Sequence, residues 1–350
     1  MAGAIYDLST LLEVQRVQKS LPTFWLNFFP SAINFTTDEI LWDRVYTDDR
    51  RLAPFVVPNV KGVPMGDSGY DTISFKPAYI KQKDTVDPTK PFKRMAGETL
   101  GSGSMTPQQR YDALVAQILA NHRTYIENRW EWMAAKALID GQIVISGENY
   151  PSRTVNFRRS AELSVVLAGA AKWDQATANP LADLKAARVA ANYRSGARIR
   201  RHIFGQNAWD LFTTRVDLRA MMQTQIDGYG TKVTMLSDGF EGMEYMGTVQ
   251  GLNGAGAIEC WVNTQKFVDE NNVEQYMMDQ NTVVGLGDAA AIKGVRCFGA
   301  IKDKAANFQA LSIFPKMWSE EDPAADFMMS QSAPLMVPVN PNATYSIKVA

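Results

Sequence analysis

Histidine and cysteine are almost missing from this chain of 350 residues, with two of each. Two thiols, Cys260 and Cys297, make no disulfide framework in so long a chain and read as free. His122 and His202 stand far apart, and neither keeps a metal-type spacing with cysteine or carboxylates. No sign of charge dominates, because 36 Lys and Arg face 37 Asp and Glu, a formal net charge of -1. Proteins that grip nucleic acid through its phosphates carry a basic excess or block, and neither is present. No run approaches the roughly 18 apolar residues of a membrane helix. The first residues, MAGAIYDLSTLLEVQ, lack the basic and then apolar layout of a secretory signal. The N-x-Thr sequons at Asn34 and Asn342 are therefore read as chance matches. Phosphate-loop, nucleophile-elbow and repeat signatures are also missing.

What remains is ordinary folding material, 46% hydrophobic and 21% charged, enough for two domains or one elongated unit. The clearest element follows a hinge at Gly101-Ser102-Gly103-Ser104. Thr106, Pro107 and Gln109 make an N-cap, N1 and capping box. Apolar residues then recur every three or four positions through Tyr111, Leu114, Ile118, His122, Ile126, Trp130, Met133 and Leu138. Asp140 and Gly141 supply the stop. A helix over 107–140 spans roughly 50 Å, more than a compact domain needs.

Before it, residues 7–19 read as a short helix bearing Leu11, Leu12 and Val17, followed by the aromatic cluster TFWLNFFPSAINF. The stretch from Arg51 to Val86 is proline-rich (Pro54, Pro58, Pro64, Pro77). It also shows strand alternation around Tyr70–Phe75 and a turn at Gly66–Gly69, which together predict a projecting two-stranded ribbon. Such a ribbon is marginal alone, so it must lie on something. After the long helix the sequence predicts a hairpin in QIVISGENYPSRTVNF and a helix from the Asn179-Pro180 cap to Gly196. The strand IRRHIF, the helix NAWDLFTTRVDLRAMM and the loop DGYGTK come next. Strands follow in MEYMGTV, AIECWV, VEQYMM, NTVVGL, VRCFGAI, ALSIFP and TYSIKVA. The mixture lacks βαβ alternation and predicts an α+β fold.

Chemistry is scarce. Gly285-Leu286-Gly287-Asp288-Ala289-Ala290 matches a dinucleotide fingerprint, with Asp303 downstream. That motif must open a helix inside a βαβ unit, and only AAAIKG precedes the next strand. His122, on the apolar stripe of the long helix, reads as a satisfied core histidine. The acids Glu320-Glu321-Asp322 and Asp48-Asp49 read as solvated loop positions.

The run from Phe314 to Ala350, FPKMWSEEDPAADFMMSQSAPLMVPVNPNATYSIKVA, combines F-P-K-x-W, D-P-A and S-A-P-L-M with a proline-punctuated strand. It closely resembles the carboxy-terminal signature of the lambda-type major capsid (major head) proteins of tailed bacteriophages. INFTTDEILWDRV, RLAPFVVPNVKG with FKPAYIKQKDTVDP, NRWEWMAAKALIDG, VNFRRSAE, the NAW segment, FVDENNVEQYMMDQNTVVGLG and CFGAIKD are similar to further segments in the family's order. The match is loosest over 160–240.

The resemblance implies the Hong Kong 97 fold. An N-terminal arm (1–50) and an extended loop (51–100) would precede a peripheral domain with the spine helix (101–165). A mainly axial domain (166–295) and returning strands (296–350) would follow. It implies self-assembly into pentamers and hexamers of an icosahedral head around double-stranded DNA, met only through non-specific contact. Further partners implied are a decoration protein, a separate scaffold and the portal, with no cofactor and no catalysis. The protein would be made in the host cytoplasm and end in the virion. Ribbon residues expected between subunits are Phe55, Val57, Lys61, Tyr70, Ile73, Phe75, Tyr79 and Lys81. Lys61, Lys76, Lys81 and Lys83 read as solvated or ion-paired rather than cross-linked. The alternatives are an encapsulin-like compartment protein, which should not carry this motif series, and a nicotinamide-dependent enzyme using Gly285–Ala290.

Overall fold

The structure is a computed structural model that describes residues 21–45, 52–58, 61, 70–93, 105–147, 150–214, 242–251, 256–321 and 324–350, apart from single positions 22, 38, 54 and 88. Several sequence expectations lie outside these residues. They are the helix at 7–19, the turn at 66–69, the hinge at 101–104, the loop at 227–232, the end of the helix beyond 214 and the acids 48, 49 and 322.

Trp25–Phe28 forms a single 3-10 turn and leads into β1 (Ser31–Asn34) and β2 (Ile40–Val45). β3 (Tyr70–Phe75) and β4 (Ile80–Val86) precede the long helix α1 (Pro107–Ile139). α1 starts where its cap dictates: Gln109 N–H donates to Thr106 Oγ1 at 3.2 Å, and Thr106 N–H donates to Gln109 Oε1 at 2.9 Å. It stops at Asp140 because Gly141 takes φ 67°, a left-handed conformation that costs glycine least.

The hairpin β5 (Gln142–Gly147) and β6 (Tyr150–Asn156) follows, then β7 (Ser164–Val166). α2 (Pro180–Ser195) is capped by Asn179 and ends on left-handed Gly196, as its sequence signals. β8 (Arg201–Gly205) and α3 (Gln206–Thr214) come next, then β9 (Met243–Gly251) and β10 (Gly256–Asn263). A small hairpin, β11 (Lys266–Val268) and β12 (Glu274–Tyr276), precedes β13 (Thr282–Leu286), the one-turn α4 (Ala289–Ile292) and β14 (Gly294–Phe298). The chain closes with β15 (Phe314–Glu321), β16 (Ala324–Ser332), β17 (Pro334–Pro338) and β18 (Thr344–Lys348).

Among the described residues, three sheets of three or more strands organise most of these strands, beside the pairs β2-β3, β5-β6 and β11-β12. The largest has order β7-β18-β13-β8-β10-β9, with β7/β18 and β8/β10 parallel and the other pairs antiparallel. Both of its faces are covered, so neighbouring residues serve different cores: Ile203 and Val284 face the α1 side, Phe204 and Val283 the α2–α3 side. A second sheet, β1-β14-β17, lies against α1. Its edge strand β17 tolerates Pro334 and Pro338 at its ends, where ladder donors are dispensable. The third is β15-β16-β4, antiparallel throughout.

Two expectations change. The two-stranded ribbon is not contained in 51–86: β3 pairs with β2, Ile40 opposite Phe75 and Val45 opposite Tyr70. Residues 40–45 contain the strand formers Ile40, Trp42 and Val45 and no proline, whereas 51–64 are interrupted by three prolines that cannot donate to a ladder. β4 leaves the ribbon and joins β16, with Ile80 opposite Ser332 and Val86 opposite Asp326. Second, Glu320 and Glu321 lie on strand β15 rather than in a loop, although both are exposed.

Candidate functional site

The ribbon side chains divide into two groups. Leu52, Phe55 and Val57 are 92%, 106% and 67% exposed, and Lys61 and Lys81 are exposed as well. Phe75 is buried, its ring centroid 5.7 Å from that of Phe157, so the chain's own core already holds it. Tyr79 is half-buried at the ribbon base, where its hydroxyl donates to Gln331 Oε1 and accepts the Lys302 N–H at 3.2 Å. Gln331 Nε2 in turn donates to Asp303, whose carboxylate also takes Lys316 Nζ at 3.1 Å. Tyr70 and Ile73 are placed by their backbone on β3, opposite Val45 and Trp42. Lys76 is paired with Glu39 at 3.0 Å, and Lys83 lies 3.8 Å over the Phe327 ring.

Several polar fasteners hold the rest of the chain to α1, among them three centred on His122, Glu131 and Arg159. At His122, 2% exposed, Nε2 lies 3.0 Å from Asp84 Oδ2 on β4 and Nδ1 3.0 Å from Ser330 Oγ on β16. A carboxylate only accepts, so Nε2 carries the hydrogen that faces Asp84. Serine, histidine and carboxylate in this order match a hydrolase relay. Here, though, Ser330 is 1% exposed and the Asp84 side chain 56%, the reverse of what a nucleophile needs. The trio is a clamp.

Glu131 is 1% exposed in the carboxy-terminal third of α1. It accepts the N–H of Trp25 at 2.6 Å and of Leu26 at 2.9 Å, so its carboxylate caps the amino end of the 3-10 turn. Burial pushes its pKa up to about 7, against the pull of the Trp25, Leu26 and Phe24 amides. Trp25 Nε1 donates to Gln265 Oε1 at 3.0 Å, fixing the turn from its other side.

At the far end of α1, Arg159 donates to the carbonyls of Leu138 and Ile139, both at 2.9 Å, and to Ser346 Oγ at 2.8 Å. Its guanidinium satisfies helix-terminal carbonyls that lack an intrahelical partner. Of these fasteners, sequence reasoning identified only His122 as a satisfied core residue.

The remaining candidates are packing residues. A Cβ on Gly285 would stand 2.3 Å from the Tyr345 ring, and Gly287 N–H donates to Ala343 O at 2.9 Å. The chain's own residues therefore occupy the space beside these glycines, and α4 behind them is one turn long. His202 is fully buried, and burial drives its pKa down to about 3. Cys260 and Cys297 are buried free thiols, both pushed up to about 12 by burial, which disfavours the reactive thiolate. Among the described residues no cluster of three metal-ligating side chains occurs, and no helix is long and apolar enough to cross a membrane.

The features on view are an exposed apolar segment, Leu52 to Val57, and several internal polar fasteners around α1. The family model for phage major capsid protein E matches residues 7–349. The chain belongs to this family: it is a structural protein of the phage virion. Its relatives include the major capsid proteins of Escherichia phage lambda and Escherichia phage N15. Each is 27% identical, over 99% of this chain and 100% of the relative. Its fold is shared with a crystallised prophage protein from E. coli CFT073 assigned as a capsid protein. That structure has a TM-score of 0.65 and 22% identity, with 95% of this chain and 94% of the other covered.

Proposed function

We propose that this chain is the repeating subunit of the icosahedral head of a tailed phage, built on the Hong Kong 97 fold. In this reading 1–50 is the arm, 51–100 the extended loop, 101–165 the peripheral domain and 166–295 mainly the axial domain. Residues 296–350 return to both. α1 is then the spine helix. The subunit forms pentamers and hexamers, with a scaffold protein, a decoration protein and the portal as further partners. It meets packaged double-stranded DNA through non-specific contact. It has no catalytic role and needs no cofactor, and assembly takes place in the host cytoplasm.

The observation that carries this reading is the exposed apolar run Leu52, Phe55, Val56 and Val57, in a family of shell proteins. Side chains of this kind are each worth about 1.5–3 kcal/mol when fully buried. Left in water they only favour aggregation. Phe55, Val57, Lys61 and Lys81, with Tyr70 and Ile73 by their place on β3, are the contacts to a neighbouring subunit. Phe75 and Tyr79 support the ribbon from within. The test is the double variant Phe55→Ser/Val57→Ser, compared with the parent by thermal unfolding of unassembled subunits and by electron microscopy of assembly reactions. Unchanged unfolding with loss of shells is expected. Normal shells from the variant refute the interface assignment, and discrete small particles from the parent refute the shell-forming role.

A further inference from the structure

α2 is apolar on two opposite faces. Leu184, Ala187 and Ala191 are buried against the α2–α3 side of the large sheet. Ala182, Ala186, Val189 and Tyr193 fall on the far side of the same helix, where Val189 is 61% and Tyr193 62% exposed. They line a shallow trough of about 570 Å³ bounded by the Glu162–Arg194 ion pair. A surface helix needs one apolar stripe, and a second stripe opposite the first marks a helix covered from both sides.

A matching surface lies on the β11–β12 hairpin. Val268, Val273 and Tyr276 are 59%, 53% and 46% exposed. The hairpin's turn is rigid. Asp269 Oδ1 accepts the N–H groups of Asn271 at 2.8 Å and Val273 at 2.9 Å, and Asn272 takes φ 58°. The two surfaces also differ in charge. The outer face of α2 presents Lys185 beside the internally paired Arg194 and Glu162, while the hairpin presents Asp269, Glu270 and Glu274, of which Glu270 pairs with Arg129 and Glu274 lies 3.7 Å from Lys266. The whole chain is close to neutral at -1, so this segregation is local.

Within one chain the two surfaces rest on different supports. The hairpin is fixed to α1 through Arg129–Glu270 at 2.8 Å and the Trp132–Phe267 ring contact, whereas α2 packs over β18. A ring of identical subunits needs two different, complementary patches on every copy. We infer that the outer face of α2 seats the β11–β12 hairpin of a second copy, with Val189 and Tyr193 against Val268 and Tyr276, and Lys185 facing Glu274. This rests on the proposed shell-forming role and names the surfaces that close the ring.

The experiment is a charge swap. Lys185→Glu, Glu274→Lys and the double variant are compared with the parent for unfolding temperature of the subunit and for yield of rings and shells. Both sites are exposed, so unfolding should stay unchanged. Each single variant should lose assembly by about tenfold or more, the factor expected from turning one attraction into repulsion, and the double variant should regain it. Tyr193→Ser should lose assembly with unchanged unfolding. Parent-like assembly by both single variants overturns the inference, as does failure of the double variant to recover. In either case a parent that still forms shells leaves the shell-forming role standing. A parent that forms none refutes that role itself.

Discussion

Glu131 shows how a single side chain sets a measurable property of the subunit. Its folded pKa of about 7 lies above its ordinary 4.5. Between those values the folded chain keeps a proton that the unfolded chain has released. Stability from this group is therefore fully present below about pH 4.5 and is lost as pH rises to about 7, a fall on the order of 3 kcal/mol. Urea unfolding of unassembled subunits across that range should show the decline, and Glu131→Gln should flatten it. A parent curve as flat as the variant's would show that the group is ionised throughout. Arg159 offers a second case. Replacing it by alanine leaves the Leu138 and Ile139 carbonyls without their donor and should cost about 3 kcal/mol in the same assay. Sequence prepared none of this. Glu131 stands roughly 100° or more around α1 from Ile126, Trp130 and Met133, off the apolar stripe, and a buried acid there needs donors. Those donors, Trp25 and Leu26, lie more than a hundred positions earlier, at separations of 106 and 105, and no local pattern points to them.

Elements with their own punctuation were the most legible. Both ends of α1 and both ends of α2 fall where cap residues place them, because a cap is a contact among neighbours in sequence. Strand partners were harder, since alternation shows that a segment is a strand but not which strand it joins. Hence β3 was legible from Tyr70 to Phe75, while its pairing with β2 and the departure of β4 to β16 were not. The α1 reading makes a direct prediction. Ile118→Pro removes a backbone hydrogen bond in mid-helix and clashes with the preceding turn, at about 3 kcal/mol or more. Circular dichroism should report lost helicity, and shells should not form. An unchanged spectrum would show that the helix is not continuous through 118.

At the scale of the molecule, the segment that carried the family resemblance is also the one that joins the three sheets. β16 is central in the sheet with β4, β17 borders β14, and β18 lies between β7 and β13. Tyr345, Ile347 and Val349 are at most 2% exposed. Removing 344–350 strips roughly 5–9 kcal/mol of apolar burial, comparable with the whole stability of a typical domain, so no soluble folded subunit should be recovered. Soluble, cooperatively unfolding material would disprove this. The signature was readable because its prolines and aromatics stand close together. The union of three sheets by one segment is a long-range fact that no window of sequence contains. A last consequence concerns load. α1 is pinned to β4 at His122, to the Trp25–Phe28 turn at Glu131 and to the large sheet through Leu138 and Ile139. Those points are spaced about 11–14 Å apart along its axis. A tug on β4 therefore reaches the Trp25–Phe28 turn as tension along one rod, past joints made of directional hydrogen bonds. Such joints do not slide; they hold or they open. Strained from outside, the subunit yields in discrete clicks, like a ratchet, rather than creeping.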